Sequence, residues 1–310
     1  MSLFFYAPAP EETETNMIMS KVADSLISAF SPSAKINITH VEVTDSAREL
    51  ERSHLCGPTA GLIQAEALAG VALLGSELTE PGETVTLRLR VSGPVGGVLV
   101  EASADGGLRG YTQVKVLNDL DACEELDASV ALGDWAELQI VRSLPGKILS
   151  SAATDVTPAS VTKGLEQYYR HSLQRQVQVQ ISALAYGGFI DGARGLLIEC
   201  LPDGNKDVFN RIGRYIDDST VLECLEASAS LGTICETVGL SDCVFQKPKP
   251  LRFACRCSPE RVEVLLSGMP AGDLEAMILE DRPAQIFCHM CGKGYQVGVE
   301  TLQAILKKRG

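Results

Sequence analysis

Four cysteines near the C-terminus form two closely spaced pairs, Cys255-x-Cys257 and Cys288-x-x-Cys291. Zinc binds four thiolates in a tetrahedron, and proteins commonly supply such ligands as close pairs. Gly292 follows the second pair directly, where the absence of a Cβ lets backbone amides turn toward the sulfurs. The spacing therefore predicts a zinc site with Cys255, Cys257, Cys288 and Cys291 as its ligands.

Two roles are open for this predicted site. Four thiolates leave no position for water, so a catalytic zinc is not expected. A structural zinc that only holds a small module together is the commoner role of such a site. The tight Cys255-x-Cys257 pair favours redox chemistry instead, because zinc-bound thiolates react with peroxide or hypochlorous acid, and a neighbouring thiolate can close a disulfide. His289 could replace a ligand in principle, although we expect it to be an exposed neighbour.

Six further cysteines are expected to be mainly small buried side chains: Cys56, Cys123, Cys200, Cys224, Cys235 and Cys243. His54 and His171 are expected to be hydrogen-bonded structural residues, and Trp135 a packing residue. The sequence contains no nucleophile–His–acid set, phosphate loop or dinucleotide fingerprint, so we do not predict an enzyme. A thiol oxidoreductase would place Cys-x-x-Cys at a helix start in a βαβ unit, a context that is absent from the sequence pattern.

Composition and charge exclude several classes of protein. The chain has 310 residues, 45% of them hydrophobic, and a net charge of −13. An acidic surface repels phosphate backbones, so nucleic acid is not an expected partner. No apolar run of membrane-spanning length is present, and Glu11 and Glu12 precede any basic residue, unlike a signal peptide. We therefore expect a cytoplasmic protein whose ten cysteines are reduced.

Periodicity predicts an α+β protein with four parts. Residues 1–35 form an N-terminal extension with a helix over Met17–Phe30. Residues 36–202 form a mixed-sheet core domain, because apolar residues alternate as in half-buried strands. The expected core strands are Ile36–Val43, Thr84–Val91, Val98–Ala102, Leu108–Val116, Glu137–Val141, Val177–Ala185 and Gly195–Cys200, and the expected helices are Leu62–Leu78 and Ser160–Gln174.

The remaining two parts are smaller. Residues 203–254, called the linker here, read as short helices joined by weak points, with capping boxes at Thr220-x-x-Glu223 and Thr233-x-x-Glu236. Isolated short helices are marginal in water, so the linker must lie on another surface. Residues 255–310, called the metal module, carry the cysteine pairs, a helix that begins at Ser258-Pro-Glu, a two-stranded ribbon and a C-terminal helix. A module of this size needs a metal or disulfides.

The cysteine spacing resembles the redox switch of the heat-shock chaperone family known as the 33-kilodalton chaperonin. The similarity extends over residues 36 to 310 and follows the family's order of short motifs. These motifs are Val43-Thr-Asp-Ser-Ala-Arg-Glu-Leu50, His54, Pro58, Glu66–Leu74, Gly93-Pro94, Gly107, Arg109-Gly-Tyr111, Tyr168-Tyr169, Ser172, Gln174, Gly187-Gly188 and Leu201-Pro202.

The resemblance implies an ATP-independent holdase. In this family the reduced, zinc-bound protein is an inactive monomer. Oxidation, helped by heat, is implied to form the disulfides Cys255–Cys257 and Cys288–Cys291, to release zinc, and to unfold the linker. Apolar surface then binds unfolding or oxidatively damaged client proteins, and oxidised members tend to dimerise. The alternative is a constitutive interaction protein with a purely structural zinc site.

Overall fold

The computed structural model describes residues 23–123 and 126–308. Its strands are β1 (Ser25–Ser31), β2 (Ile36–Glu42), β3 (Thr84–Val91), β4 (Gly97–Ser103), β5 (Gly107–Thr112), β6 (Ala136–Leu144), β7 (Lys147–Val156), β8 (Gln176–Tyr186), β9 (Phe189–Cys200), β10 (Val244–Phe245), β11 (Lys249–Pro250), β12 (Arg252–Phe253), β13 (Ala284–Phe287) and β14 (Gly294–Val297). Its helices are α1 (Thr44–His54), α2 (Pro58–Leu74), α3 (Asn118–Asp121), α4 (Ala128–Leu132), α5 (Val161–Gln167), α6 (Lys206–Asp217), α7 (Thr220–Glu226), α8 (Leu231–Thr237), α9 (Pro259–Ser267), α10 (Ala271–Leu279) and α11 (Val299–Lys307).

Two larger sheets enclose the main core. The first sheet has the order β10–β1–β2–β9–β8, with β11 also paired to β1, and the second has the order β12–β5–β4–β3–β6–β7. Only β12 and β5 run parallel among these pairs of described strands. Alternate side chains of a strand point to opposite faces of the sheet. Along β3, Val85 and Leu87 are buried while Arg88 and Arg90 are exposed. The predicted α+β class is confirmed.

Helix α2 lies between the two sheets and contacts both. A helix covered on opposite sides must be apolar all round, which the sequence Ala67–Leu74 satisfies. Close packing limits side-chain size, since a Cβ on Gly70 would lie 3.0 Å from Val161. By length and apolarity, Pro58–Glu77 would pass as a membrane span, but 83% of its most apolar window is buried inside the fold, as a core helix requires.

The linker helices α6–α8 cover the opposite face of the first sheet. Alternate residues of β2 and β9 point to that side, so Ile36, Ile38 and Ile198 join Ile212 and Leu225 in one buried cluster. We call this cluster the outer core. The residues between them on the same strands, such as Val41 and Leu197, face α2 instead. The first sheet is therefore buried on both faces only while the linker is in place.

The metal module has a small core of its own. Helices α9–α11 surround the antiparallel pair β13–β14, and the cluster includes Leu266, Leu274, Leu302 and Ile305. The predicted start of α9 is confirmed, because Ser258 Oγ accepts a hydrogen bond from the backbone N–H of Arg261 at 3.3 Å. The predicted ribbon and C-terminal helix are also present.

One secondary-structure prediction was wrong, and two sets of strands were missed. The described part of the predicted Met17–Phe30 helix contains β1, because Ser25–Ser31 pairs in full register with β2 and pairing outweighs local propensity; residues 17–22 lie outside the described residues. The long edge strand β7 was not predicted. The end of the linker forms the short strands β10–β12, which were not predicted as strands.

The predicted capping boxes were also wrong. Ser219 stands before α7 without a side-chain cap, and the Thr220 N–H donates to the Asp218 carboxylate at 3.1 Å. Ser230 caps α8 by accepting from the Thr233 N–H at 3.1 Å. Thr220 and Thr233 therefore lie inside their helices, because a serine or aspartate just upstream already supplies the acceptor for the first turn.

Candidate metal centre

Two short connections present the four cysteines. Cys255 and Cys257 lie in the extended chain between β12 and the N-cap of α9. Cys288 and Cys291 lie on the turn between β13 and β14, which is closed by the Gly292 N–H donating to the Cys288 carbonyl at 2.8 Å. Gly292 adopts φ 70°, the left-handed region that favours glycine. The pairing of β13 with β14 thus sets the positions of Cys288 and Cys291, and the start of α9 sets those of Cys255 and Cys257.

The four sulfurs converge on one point. All lie within 4.8 Å of one another. Cys255 Sγ is 3.7 Å from Cys288 Sγ, and Cys257 Sγ is 3.4 Å from Cys291 Sγ. A tetrahedral zinc site with ordinary Zn–S bonds has sulfur–sulfur edges of about 3.8 Å. The spacing and the all-thiol donor set can therefore hold a metal ion of this size.

His289 is exposed and lies outside this cluster. Its ring centroid is 5.8 Å from that of Tyr111 on β5. This is the exposed neighbour that the sequence predicted.

Two side chains outside the cysteine pairs donate to the sulfurs. The Tyr295 hydroxyl donates to Cys257 Sγ at 3.0 Å, and Arg109 Nη1 donates to Cys255 Sγ at 3.8 Å. Burial opposes ionisation of Cys255, but hydrogen bonds from the Cys257 N–H and from Arg109 outweigh it and lower the pKa of this thiol to about 7. Burial raises the pKa of Cys288 and of Cys291. Without a metal, Cys255 is therefore a more acidic thiol than these two.

The cysteine turn contacts the core domain directly. The Gly110 N–H on β5 donates to the Met290 carbonyl at 3.2 Å, and His54 Nε2 is 2.9 Å from the Gly110 carbonyl. A Cβ on Gly292 would overlap the Ser53 carbonyl oxygen at the end of α1. The metal module thus sits on β5 and α1 through backbone contacts that tolerate no added side-chain volume.

An ion-pair network reinforces this contact. Glu101 on β4 pairs with Arg109 at 2.8 Å and also with Arg256, which stands between the two cysteines of the first pair. Both Glu101 and Arg109 are largely buried. Because Arg109 also reaches Cys255, one charged network connects the sulfur cluster to the second sheet.

A cleft gives solvent access to the sulfurs. Its volume is about 400 Å³, and its lining includes Cys255, Cys257 and Cys291 together with Glu49 and Lys293. A small oxidant such as hydrogen peroxide fits within it. The cluster is therefore reachable from solvent while the module remains docked.

The other predicted residues fall in several environments. Cys200 and Cys235 are buried, Cys56, Cys224 and Cys243 are half-buried, and Cys123 is exposed. His54 is buried and hydrogen-bonded as predicted, whereas His171 is exposed. The packing role predicted for Trp135 was wrong, because its side chain is 42% exposed in the chain that follows α4.

Sequence reasoning did not identify the sulfur-contacting roles of Tyr295 and Arg109. Tyr295 lies in the predicted two-stranded ribbon, where it is buried opposite Ile286. A hydroxyl at an inward position beside cysteines was the available signal. Arg109 lies 146 residues from Cys255, so no local spacing could have connected them.

Comparison with known proteins gives a consistent match. The Hsp33 protein family model matches residues 24–298. The 33 kDa chaperonin of Lachnoclostridium phytofermentans is 27% identical over 296 residues, covering 94% of this chain and 98% of the relative. That of Thermus thermophilus is 28% identical over 284 residues, covering 87% and 83%. The crystal structure of the 33 kDa chaperonin from Thermotoga maritima has a TM-score of 0.81 and 20% identity, covering 93% of this chain and 99% of that one.

The family match begins at residue 24, which corrects the expected start of the similarity at residue 36. The added stretch contains β1, whose pairing with β2 makes it part of the first sheet. With 24–298 matched by the family model and the same fold in a solved relative, the chain belongs to the Hsp33 family of chaperones.

Proposed function

We propose that this chaperone is an ATP-independent holdase that oxidation switches on through a four-cysteine zinc centre. The observation that carries the proposal is the convergence of Cys255, Cys257, Cys288 and Cys291 within 4.8 Å, directly beside the contact between the metal module and the core domain. Oxidation of cysteines at that position can weaken the contact between the metal module and the core domain. The proposed clients are unfolding or oxidatively damaged proteins.

A bound zinc ion would keep the four sulfurs as thiolates, the form that reacts with oxidants. Peroxide converts one thiolate to a sulfenic acid, and a neighbouring thiolate attacks that sulfur, forming a disulfide and releasing hydroxide. Two such reactions consume two peroxides and all four thiolates. Sulfurs in disulfides no longer bind metal, so the module loses the stabilisation that depends on it.

The pairing of the disulfides is part of the proposal. The family resemblance favours Cys255–Cys257 and Cys288–Cys291, within each pair. The short sulfur contacts join the pairs instead, Cys255 to Cys288 and Cys257 to Cys291. Peptide mapping of the oxidised protein distinguishes these two arrangements.

Loss of the module's fold would reach the linker through the chain that joins them. Strand β12 is held on β5, and β11 on β1, so both pairings depend on the segment just before Cys255. If this segment detaches, α6–α8 lose their C-terminal anchor on the first sheet. Short helices are marginally stable without a docking surface, and we expect the linker to unfold.

The surface uncovered by the linker is suited to client binding. The outer-core side of the first sheet carries Ile36, Ile38, Leu196 and Ile198, all at most 1% exposed in the folded protein. Exposed apolar patches of this kind bind other exposed apolar chains. We propose this face as the client-binding surface, with dimerisation of the oxidised protein as a second consequence of its exposure and a monomer in the reduced state.

The test uses the full-length, zinc-loaded protein with its cysteines reduced, as in the proposed cytoplasmic location, after the reductant has been removed. It is treated with hydrogen peroxide at elevated temperature, and zinc release, suppression of aggregation of an unfolded client, and molecular mass are followed together. We expect zinc release, gain of suppression and a shift from monomer to dimer with the same time course. Retained zinc with no gain of suppression would contradict the proposal.

The alternative, a constitutive interaction protein with a structural zinc, predicts a different result. Client binding would then be the same before and after peroxide, and chelation would lower it. The cleft that opens onto Cys255, Cys257 and Cys291 favours the redox function over this alternative, because a purely structural site gains nothing from solvent access.

A further inference from the structure

A cleft of about 410 Å³ lies on the outer face of the second sheet, beside the metal module. Strand pairing sets its floor, because Arg88 on β3 is opposite Leu99 on β4, which is opposite Tyr111 on β5. Directly paired residues point to the same face of a sheet. Since neighbouring strands lie about 4.8 Å apart, the cleft crosses three strands, and the Cα atoms of Arg88 and Tyr111 are about 10 Å apart.

The metal module closes one side of this cleft. The centroid of the His289 ring is 5.8 Å from that of Tyr111. The Gly110 N–H, which donates to the Met290 carbonyl at 3.2 Å, holds the cysteine turn in place on β5. Lys115, just beyond β5, also lines the cleft. The cleft is thus built from both the core domain and the metal module, and it is complete only while the module is docked.

Positive charge collects in the cleft. Within the described part of the chain, its lining contains Arg88, Arg90 and Lys115 and no carboxylate. Arg90 is paired with Glu137 on β6, whereas the residue opposite Arg88 on β6 is the neutral Gln139. Neither Arg88 nor Lys115 forms an ion pair with another residue that the structure describes. Unpaired cations grouped in a cleft attract an anion.

We propose that this cleft binds a small anion with two phosphate groups, a diphosphate. The Arg88 guanidinium on β3 presents parallel N–H donors that match the oxygens of one phosphate, and the Lys115 ammonium on the β5 side pairs with the other. The Tyr111 hydroxyl, the Gln113 amide and the His289 ring supply further donors from the same lining. A single carboxylate would reach only one side. The net charge of the chain is −13, so a long polyanion such as a nucleic acid is repelled outside the cleft.

A ligand in this cleft contacts the core domain and the metal module at the same time. It therefore binds the docked form and stabilises docking by mass action, so that at about ten times its dissociation constant the undocked fraction falls roughly tenfold. The Gly110 N–H lies in the contact between the two parts, and its exchange rate reports their separation. A delay of oxidative activation would rest on the proposed function, whereas binding and slower exchange in the reduced protein do not.

The test titrates inorganic pyrophosphate into the full-length, zinc-loaded, reduced protein by calorimetry, and zinc is assayed after each titration so that chelation is not read as binding. We expect a dissociation constant of about 1 mM or tighter, and exchange at the Gly110 N–H slowed roughly tenfold at about ten times that concentration. Arg88→Gln should weaken binding by roughly tenfold or more, because a hydrogen bond between charged groups is lost. Arg88 is exposed, so the variant should fold as the wild type does.

Arg261→Gln is the matched control, since Arg261 on α9 is also an exposed arginine and does not line the cleft. It should bind pyrophosphate as the wild type does. No binding at about 10 mM pyrophosphate, equal weakening in the two variants, or orthophosphate binding as tightly as pyrophosphate would overturn the proposal. ADP that binds as tightly, and whose binding is also lost in Arg88→Gln, would support the proposal with a nucleotide as the source of the diphosphate; binding of pyrophosphate alone would support it with free diphosphate.

Discussion

Truncation of Leu225 tests whether docking of the linker controls activity. Leu225 on α7 is 0% exposed in the outer core, and its carbonyl accepts a hydrogen bond from Arg194 at 3.2 Å. The Leu225→Ala variant keeps that backbone hydrogen bond and loses only side-chain packing. It therefore isolates the apolar contribution to docking.

The expected cost follows from the position of the side chain. Removing a fully buried leucine costs about 2–5 kcal/mol. Helix α7 is short and lies at one surface of the protein, so partial collapse into the cavity should keep the cost near about 2–3 kcal/mol. Since about 1.4 kcal/mol is a factor of ten, the undocked fraction of the linker should rise roughly 30- to 150-fold.

The assay is amide hydrogen exchange of the reduced, zinc-loaded variant, together with suppression of client aggregation without oxidant. We expect faster exchange in α6–α8, unchanged exchange in β3 and β6, and measurable suppression. Leu265→Ala is the control, because Leu265 on α9 is 64% exposed and its loss should change stability by less than about 0.5 kcal/mol.

Two results would refute the reasoning. If exchange in Leu225→Ala rises equally in both sheets, the linker does not unfold as a separate unit. If exchange rises only in α6–α8 and no client is captured, the face beneath the linker is not the binding surface.

Three further predictions concern the metal module and pH. Gly292→Ala should loosen the module and speed exchange at the Gly110 N–H by at least roughly tenfold, whereas Gly298→Ala, whose added Cβ would meet nothing within 4 Å, should not. Tyr295→Phe removes the hydroxyl bonded to Cys257 and should lower zinc affinity by roughly 10-fold in competition with a chelating dye; unchanged affinity would show that the hydroxyl does not support the site. Burial, together with the charge of Arg194, lowers the pKa of His40 from 6.5 to about 4. Its contribution to stability is therefore complete above pH 6.5 and lost as the pH falls toward 4, by about 2 kcal/mol between pH 7 and 5. His40→Gln should flatten urea-unfolding stability over that range by this amount, and an unchanged slope would contradict the assignment.

Local patterns predicted the parts of the fold that local chemistry controls. Strand β3 alternates apolar with polar or charged residues, and the second half of α2, Ala67–Leu74, is apolar on every face. The sequence of each element therefore predicts how it is buried. Strand β1 and the short strands β10–β12 were not predicted as strands, because their conformation depends on partners far along the chain. Strand β7 is an exposed edge strand with little alternation, and it has no periodic signal to detect.

Local sequence patterns likewise identified only part of the candidate site. Spacing alone proposed the four sulfurs, because metal ligands must be presented in close pairs. Spacing could not find Arg109, which belongs to β5 and reaches Cys255 only after the module docks. It also gave no warning that Asp242 in the linker would accept hydrogen bonds from Ser31 and Ser33 at the end of β1.

The segment Lys249–Phe253 connects the two surfaces that the proposed switch must coordinate. Its first half pairs with β1 in the first sheet, and its second half pairs with β5 in the second. Between them, the Leu251 N–H donates to the Asp24 carbonyl at 3.0 Å. Helices α6–α8 precede this segment, which we call the strap, and Cys255 follows it.

Because the strap is short and has few hydrogen bonds, the proposed unfolding of the module beyond it would release the strap from both sheets. Its release would remove the anchor of α8 and free the edges of β1 and β5 at the same time. The proposed coupling between the sulfur cluster and the outer core therefore needs no long relay through the protein interior. A few residues of extended chain, held at both ends, are sufficient to connect the chemistry of the cysteines to the docking of the linker.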